Sequence, residues 1–132
     1  MLKKIGILAG LFLLIIACGT RADESDNEQY VGVWNWVSTD GGIANVHETP
    51  ENTKIDRILT INDNYTYSIK ENNEIVKEGS YTLGRDVTNT DHSERMFLKL
   101  SNYSNFIVSQ ITASDLYLAN DSSDAFTYHY SK

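Results

Sequence analysis

The chain has 132 residues, 18 of them acidic and 11 basic, for a net charge of −7 near neutral pH. With no Lys/Arg cluster it lacks the basic stripe that phosphates require, which excludes nucleic acid and makes anionic lipid headgroups poor partners. A single cysteine excludes an intrachain disulfide, so stability has to come from packing.

The first element is a leader. Lys3 and Lys4 precede an apolar run from Ile5 to Ile16, and small Ala17 stands before Cys18. This is the charged, apolar and small-residue pattern of a bacterial lipoprotein signal peptide. The run is too short for about 30 Å of hydrocarbon, which takes roughly 20 apolar residues. Residues 1–17 are therefore expected to be removed, leaving an acylated (palmitate-type) Cys18 as the first mature residue. Loss of Lys3 and Lys4 takes the net charge to −9. Residues 18–28 read as an acidic linker, with Asp23-Glu24-Ser25-Asp26-Asn27-Glu28 at its centre. Gly19 after the cysteine favours the outer membrane. The acidic stretch resembles the export signal of surface lipoproteins of Bacteroidetes, so either the periplasmic face or the cell surface is open.

Residues 29–132 are enough for one domain with one core. They read as β throughout: short alternating runs of Tyr, Ile, Val and Thr, separated by Asn, Asp, Ser and Gly. Eight strands are expected, over Tyr30–Ser38, Lys54–Ile61, Tyr65–Glu71, Glu74–Leu83, Arg95–Leu100, Asn105–Ile111, Asp115–Ala119 and Ala125–Tyr130. Asn62-Asp63-Asn64, Asn72-Asn73, Ser101–Ser104 and Thr112-Ala113-Ser114 are tight-turn sequences. Gly79 interrupts the fourth run and suggests a bulge or bend. Consecutive hairpins make a meander, and an eight-stranded meander removes its edges by closing into an antiparallel up-and-down barrel. A barrel of that size is filled by side chains or holds one small ligand. An open sandwich or half-barrel is the competing architecture.

Gly32-Val33-Trp34 opens the first strand and looks like the Gly-x-Trp signature of lipocalin-like (calycin) barrels. The stretches Trp36-Val37-Ser38-Thr39-Asp40-Gly41-Gly42-Ile43, His47-Glu48-Thr49-Pro50-Glu51-Asn52-Thr53 and Phe126-Thr127-Tyr128-His129-Tyr130 resemble small lipoproteins of Bacteroidetes that carry a lipocalin-like domain. The resemblance covers most of the mature chain and implies a fold but no activity. It implies that Trp34 packs in the closed base. Lipocalins commonly set an arginine of the last strand over that tryptophan, whereas this last strand has Tyr128, His129 and Tyr130. The short strands imply a shallow barrel. Avidin-like barrels and barrel-shaped protease or lysozyme inhibitors are similar in strand number.

In a meander the connections Thr39–Thr53, Asn72-Asn73, Ser101–Ser104 and Asn120–Asp124 share one end. The longest, Thr39–Thr53, is expected to be a mouth loop. Asp40, His47, Glu48, Glu51, Tyr103, Asp121 and Asp124 would gather there, as an acidic rim or as a site for a cation or a polyhydroxylated ligand. Trp34 and Trp36 share a face by period two, as do Tyr65 and Tyr67, and all four are expected inside the barrel. They would line an apolar cavity or fill it. The opposite loop, Gly84–Glu94, holds Asp86, Asp91, His92 and Glu94 without metal-ligand spacing, so no metal or other cofactor is expected. His47-Glu48-Thr49-Pro50-Glu51 lacks the second histidine of a zinc-protease helix, and no hydrolase, P-loop or dinucleotide motif is present. The sequence therefore points to a non-enzymatic, lipid-anchored envelope protein that binds a small apolar or amphipathic ligand in its barrel. The alternative is an interaction module, an envelope inhibitor or assembly partner, that meets an envelope protein through the mouth loops.

Overall fold

The computed structural model describes residues 26–132. The leader, Cys18 and most of the linker lie outside the described residues. Nine strands follow in order: β1 (Gly32–Gly41), β2 (Val46–Glu48), β3 (Arg57–Ile61), β4 (Thr66–Glu71), β5 (Glu74–Val87), β6 (Glu94–Leu100), β7 (Asn105–Ile111), β8 (Asp115–Ala119) and β9 (Phe126–Ser131). One short helix, α1 (Pro50–Thr53), lies between β2 and β3. All ladders are antiparallel. β3 to β9 pair in chain order, and β1 pairs with both β3 and β9, so eight strands close into a barrel. The ninth strand, β2, lies beside the mouth end of β1, with Asp40 opposite His47.

Period-two alternation decides which side chains go in. Trp34 and Trp36, Leu59 and Ile61, Tyr67 and Ile69, Tyr81 and Leu83, Leu98 and Leu100, and Leu116 and Leu118 are buried pairs on successive strands. With Tyr30, Phe106 and Tyr130 they form one cluster. Lys70, Thr82, Ser109 and Gln110 face outward and are exposed or nearly so. This apolar-in, polar-out order is the reverse of a membrane-spanning barrel. No helix of the described residues is long and apolar enough to cross a membrane. None of the fifteen core residues shows more than 9 % of its surface. A ligand-sized chamber would leave its walls open to a water-sized sphere; these walls are closed, so the barrel is packed with side chains. Each buried ring or branched side chain contributes about 1.5–3 kcal/mol. The polar tips are also satisfied: Tyr81 Oη donates to Asn62 O at 2.6 Å and Tyr67 Oη to Ser101 O.

The base is closed by the chain entering it. Asn27 O accepts from the N–H groups of Tyr30 and Val31, and Asn27 Nδ2 donates to Tyr81 Oη at 3.0 Å. Asn27, a linker residue by composition, is thus a cap of the barrel. Trp34 Nε1 donates to Tyr30 O at 2.8 Å. The Lys132 ammonium lies 4.5 Å above the Trp34 ring and donates to Val31 O at 3.0 Å. Gly32, at φ +147°, makes room for it: a Cβ there would meet Lys132 Cε at 2.7 Å.

Several strand limits differ from expectation for local reasons. Lys54–Asp56 is not strand: α1 ends at Lys54, which takes a left-handed φ of 61°. α1 itself starts in a capping box between Thr49 and Asn52, with Pro50 in its first turn. Asn72 and Asn73 both have positive φ, 50° and 70°, as a tight hairpin between β4 and β5 requires. The bulge of β5 falls at Val76, between the register pairs Ile69/Lys77 and Lys70/Ile75, and not at Gly79. Gly79 instead admits the β6–β7 turn; an added Cβ would lie 2.2 Å from Ser101 Oγ.

The largest departure is Gly84–Glu94, expected as a loop. β5 and β6 stay paired out to Val87 and Glu94, whereas β6 leaves β7 at Phe97/Ile107. The free hairpin arm belongs to the base end by strand count, and Asp121 belongs to the mouth end. Yet the Asn89 and Thr90 amides donate to Asp121 at 2.7 and 3.3 Å. The arm therefore bends back across the outer wall, leaving it at Gly84, opposite Phe97. Phe97 and Ile107 alternate with core residues, face outward, and are buried beneath it.

Candidate functional site at the barrel mouth

The mouth end carries the β1–β2 hairpin, α1, the β4–β5, β6–β7 and β8–β9 turns, and the inward side chains nearest them. Gly41 and Gly42, at φ +129° and +78°, bring the hairpin over β9; a Cβ on Gly41 would lie 2.3 Å from Ala125 O. Asn52 Nδ2 donates to His47 O at 2.9 Å, tying α1 to β2. The segment expected as the mouth loop is a built projection, with β2 and α1 inside it. Its tip is Ile43, 87 % exposed, which sequence reasoning did not single out.

The expected mouth residues divide. Asp40 and His47 form a cross-strand hydrogen-bonded pair, both exposed. That bond holds the Asp40 carboxyl below its usual range. Glu48 lies opposite Thr39 and points to solvent. Glu51 sits in the first turn of α1, where its own backbone N–H and then Thr49 lower its pKa. Tyr103 packs on Phe106 at 5.6 Å with Lys77 above its ring. Asp124 is exposed on the β8–β9 loop. Asp121 is not a rim residue: it accepts from the Asn89 and Thr90 amides and the Thr90 hydroxyl and pins the arm outside the barrel. The rim carboxylates are therefore dispersed. Among the described residues no three His, Asp or Glu side chains converge to hold a metal ion.

The interior residues divide as well. Trp34, Trp36 and Tyr67 are in the core. Tyr65 is not. It precedes β4, has φ 63°, and lies 45 % exposed against Tyr81 at the base. The left-handed residue breaks the alternation that would have put it beside Tyr67.

Between rim and core lies a polar floor that sequence reasoning missed. Arg57 precedes Leu59 and Ile61 on the inward side of β3, and its guanidinium lies 4.5 Å over the Trp36 ring. Its register partner on β4 is Glu71, with Nε to Oε1 at 3.3 Å. Arg57 also lies near Tyr130, whose hydroxyl is pushed far up by burial. Tyr128, half-buried above, has its pKa raised by burial and by Tyr103. The missed signal was period two run backward from Leu59, which lands on Arg57.

The acidic residues of Gly84–Glu94 are each spent locally. Asp86 binds Lys99 at 2.8 Å and Glu94 binds Arg85 at 2.8 Å. Asp91 accepts from Thr88 Oγ1 and Ser93, which lowers its pKa to about 2. His129 pairs with Asp115 on the outer wall and stacks on Tyr117. Comparisons with protein families, curated proteins and solved structures find no match to this chain.

Proposed function

We propose that this chain is a lipid-anchored protein of the outer envelope that holds a packed barrel away from the membrane and meets an envelope protein through its mouth. The observation that carries this reading is the pairing of a filled interior with a built mouth projection. A cavity binder needs empty volume, which the packed core does not provide. A recognition surface needs an ordered, protruding patch with an apolar centre and a polar rim. Ile43 at the hairpin tip supplies an exposed apolar residue, and Asp40, His47, Glu48 and Glu51 are exposed polar residues of the same projection. Anchoring at Cys18 rests on the leader pattern, and multiple acylation gives stable attachment. The lipocalin-like reading gains from Lys132, which stands over Trp34 where the resemblance implies an arginine.

A second reading has its own observation. Arg57, Trp36, Tyr128 and Tyr103 form a shallow floor at the mouth with one guanidinium among rings. An amphipathic ligand with an anionic head would sit there, above the core and not within it.

Affinity capture from envelope extract decides between them, using the full chain and the variant Ile43→Asp/His47→Ala/Glu51→Ala. The interaction reading expects one envelope protein retained by the unmodified chain and lost by the variant. Equal retention by both refutes it. An apolar small molecule found by mass spectrometry in both preparations, and lost in Arg57→Leu, would establish the second reading in its place.

A further inference from the structure

We propose that the cleft between the β5–β6 arm and the outer barrel wall is a binding site for a neutral saccharide. The cleft holds about 510 Å³ and is lined by Asp86, Val87, Asn89, Phe97, Lys99, Ser104, Asn105, Asn120 and Asp121. That volume is within the roughly 300–1,000 Å³ typical of small-molecule sites. It lies outside the barrel, so the packed interior does not bear on it, and it does not depend on the mouth reading.

Three features select the ligand class. The first is charge. Asp86 is neutralised by Lys99, and Asp121 already accepts from two backbone amides and the Thr90 hydroxyl. A cation would find its carboxylates occupied, and an anion would face both of them. The second is unspent hydrogen-bonding capacity. The side-chain amides of Asn89 and Asn105 and the hydroxyl of Ser104 make no hydrogen bond to other described residues, and they converge on one concavity. A carboxamide offers a donor and an acceptor side by side, the pattern that adjacent hydroxyls of a sugar ring present. The third is the lip: Phe97 is buried beneath the arm, but exposed Val87 gives apolar surface for the C–H face of a ring. The site also needs tertiary structure to exist. Asn89 and Asn120 come from two different connections and Asn105 from the start of β7, and the Asp121 latch brings the first to the others.

The test uses the full chain, ¹⁵N-labelled at asparagine, in a zwitterionic micelle free of sugar detergents. Maltose, cellobiose, mannobiose and diacetylchitobiose are titrated to about 10 mM, which nearly fills even a site with Kd about 1 mM. The proposal expects saturable shifts of the Asn89 and Asn105 side-chain signals with at least one disaccharide. It also expects intermolecular NOEs from that sugar to the Val87 methyl groups. Asn89→Ala/Asn105→Ala, both at exposed positions, should weaken binding about tenfold or more while keeping the folded spectrum, since two hydrogen-bonding groups are lost. Asn35→Ala, exposed on β1, should bind like the unmodified chain. No saturable shift with any of the four overturns the proposal, as does a double variant that binds undiminished. Shifts confined to asparagines outside the cleft also overturn it. Should the double variant unfold, the NOEs to Val87 in the unmodified chain decide alone.

Discussion

Removing Trp34 tests the packed base most directly. Trp34 is fully buried, its Nε1 donates to Tyr30 O, and Lys132 covers its ring. Trp34→Ala deletes a bicyclic ring from a site framed by paired strands, which leaves little room for collapse. Aromatic-to-alanine changes of this kind cost about 3–5 kcal/mol. Trp34→Phe keeps a ring but strands the Tyr30 carbonyl, with an expected cost of about 1–3 kcal/mol. A domain of this size has a total stability of about 5–15 kcal/mol, so the alanine variant is close to the limit of folding. Urea denaturation followed by far-UV circular dichroism measures both. With a slope of about 1–3 kcal/mol/M, Trp34→Ala should lower the midpoint by about 1 M or more. Trp34→Phe should fall between it and the unmodified chain. A midpoint unchanged for Trp34→Ala would mean that the ring is not part of a cooperative core, and the account of the closed base would fail.

Gly41→Ala should destabilise by several kcal/mol or misfold, because its Cβ meets the Ala125 carbonyl at 2.3 Å on a backbone with φ +129°; thermal melting reads this, and an unchanged melting temperature would refute the close approach of hairpin and β9. Tyr67→Phe, which loses the hydrogen bond to Ser101 O, should cost about 1 kcal/mol by urea denaturation, while Tyr65→Phe on the exposed ring should cost almost nothing. Acid should loosen the arm. The Asp91 carboxyl titrates at about 2 in the folded chain against 3.8 ordinarily, so its contribution is complete above about pH 4 and is lost as pH falls towards 2. Protection of the Thr88 and Ser93 amides against hydrogen exchange should drop over that window, and Asp91→Asn should remove the pH dependence. Cys18→Ala should abolish incorporation of labelled palmitate, and a variant that still takes up label would sink the anchoring proposal.

The barrel was legible in the sequence because its determinants are local. Alternation over Met96/Leu98/Leu100 or Leu116/Leu118 assigns faces, and Asn72-Asn73 suits a tight hairpin whatever surrounds it. Eight such runs in a row leave few ways to hide edges other than closure. The filled interior was one of two open outcomes, since alternation says which side chains point inward and not whether their volumes meet. What the sequence could not show depends on contacts between residues distant along the chain. Tyr65 has the composition of a core residue, but a left-handed backbone at one position sends it outward. Asp121 reads as mouth rim by strand counting, and only the bend of the β5–β6 arm carries Asn89 and Thr90 to it. Lys132, ninety-eight positions from Trp34, reaches its ring because β9 closes against β1. A strand pattern has a period of two residues and carries local information; a latch, a stacked cation and a cleft are set by shear and closure, which exist only once the sheet has joined itself.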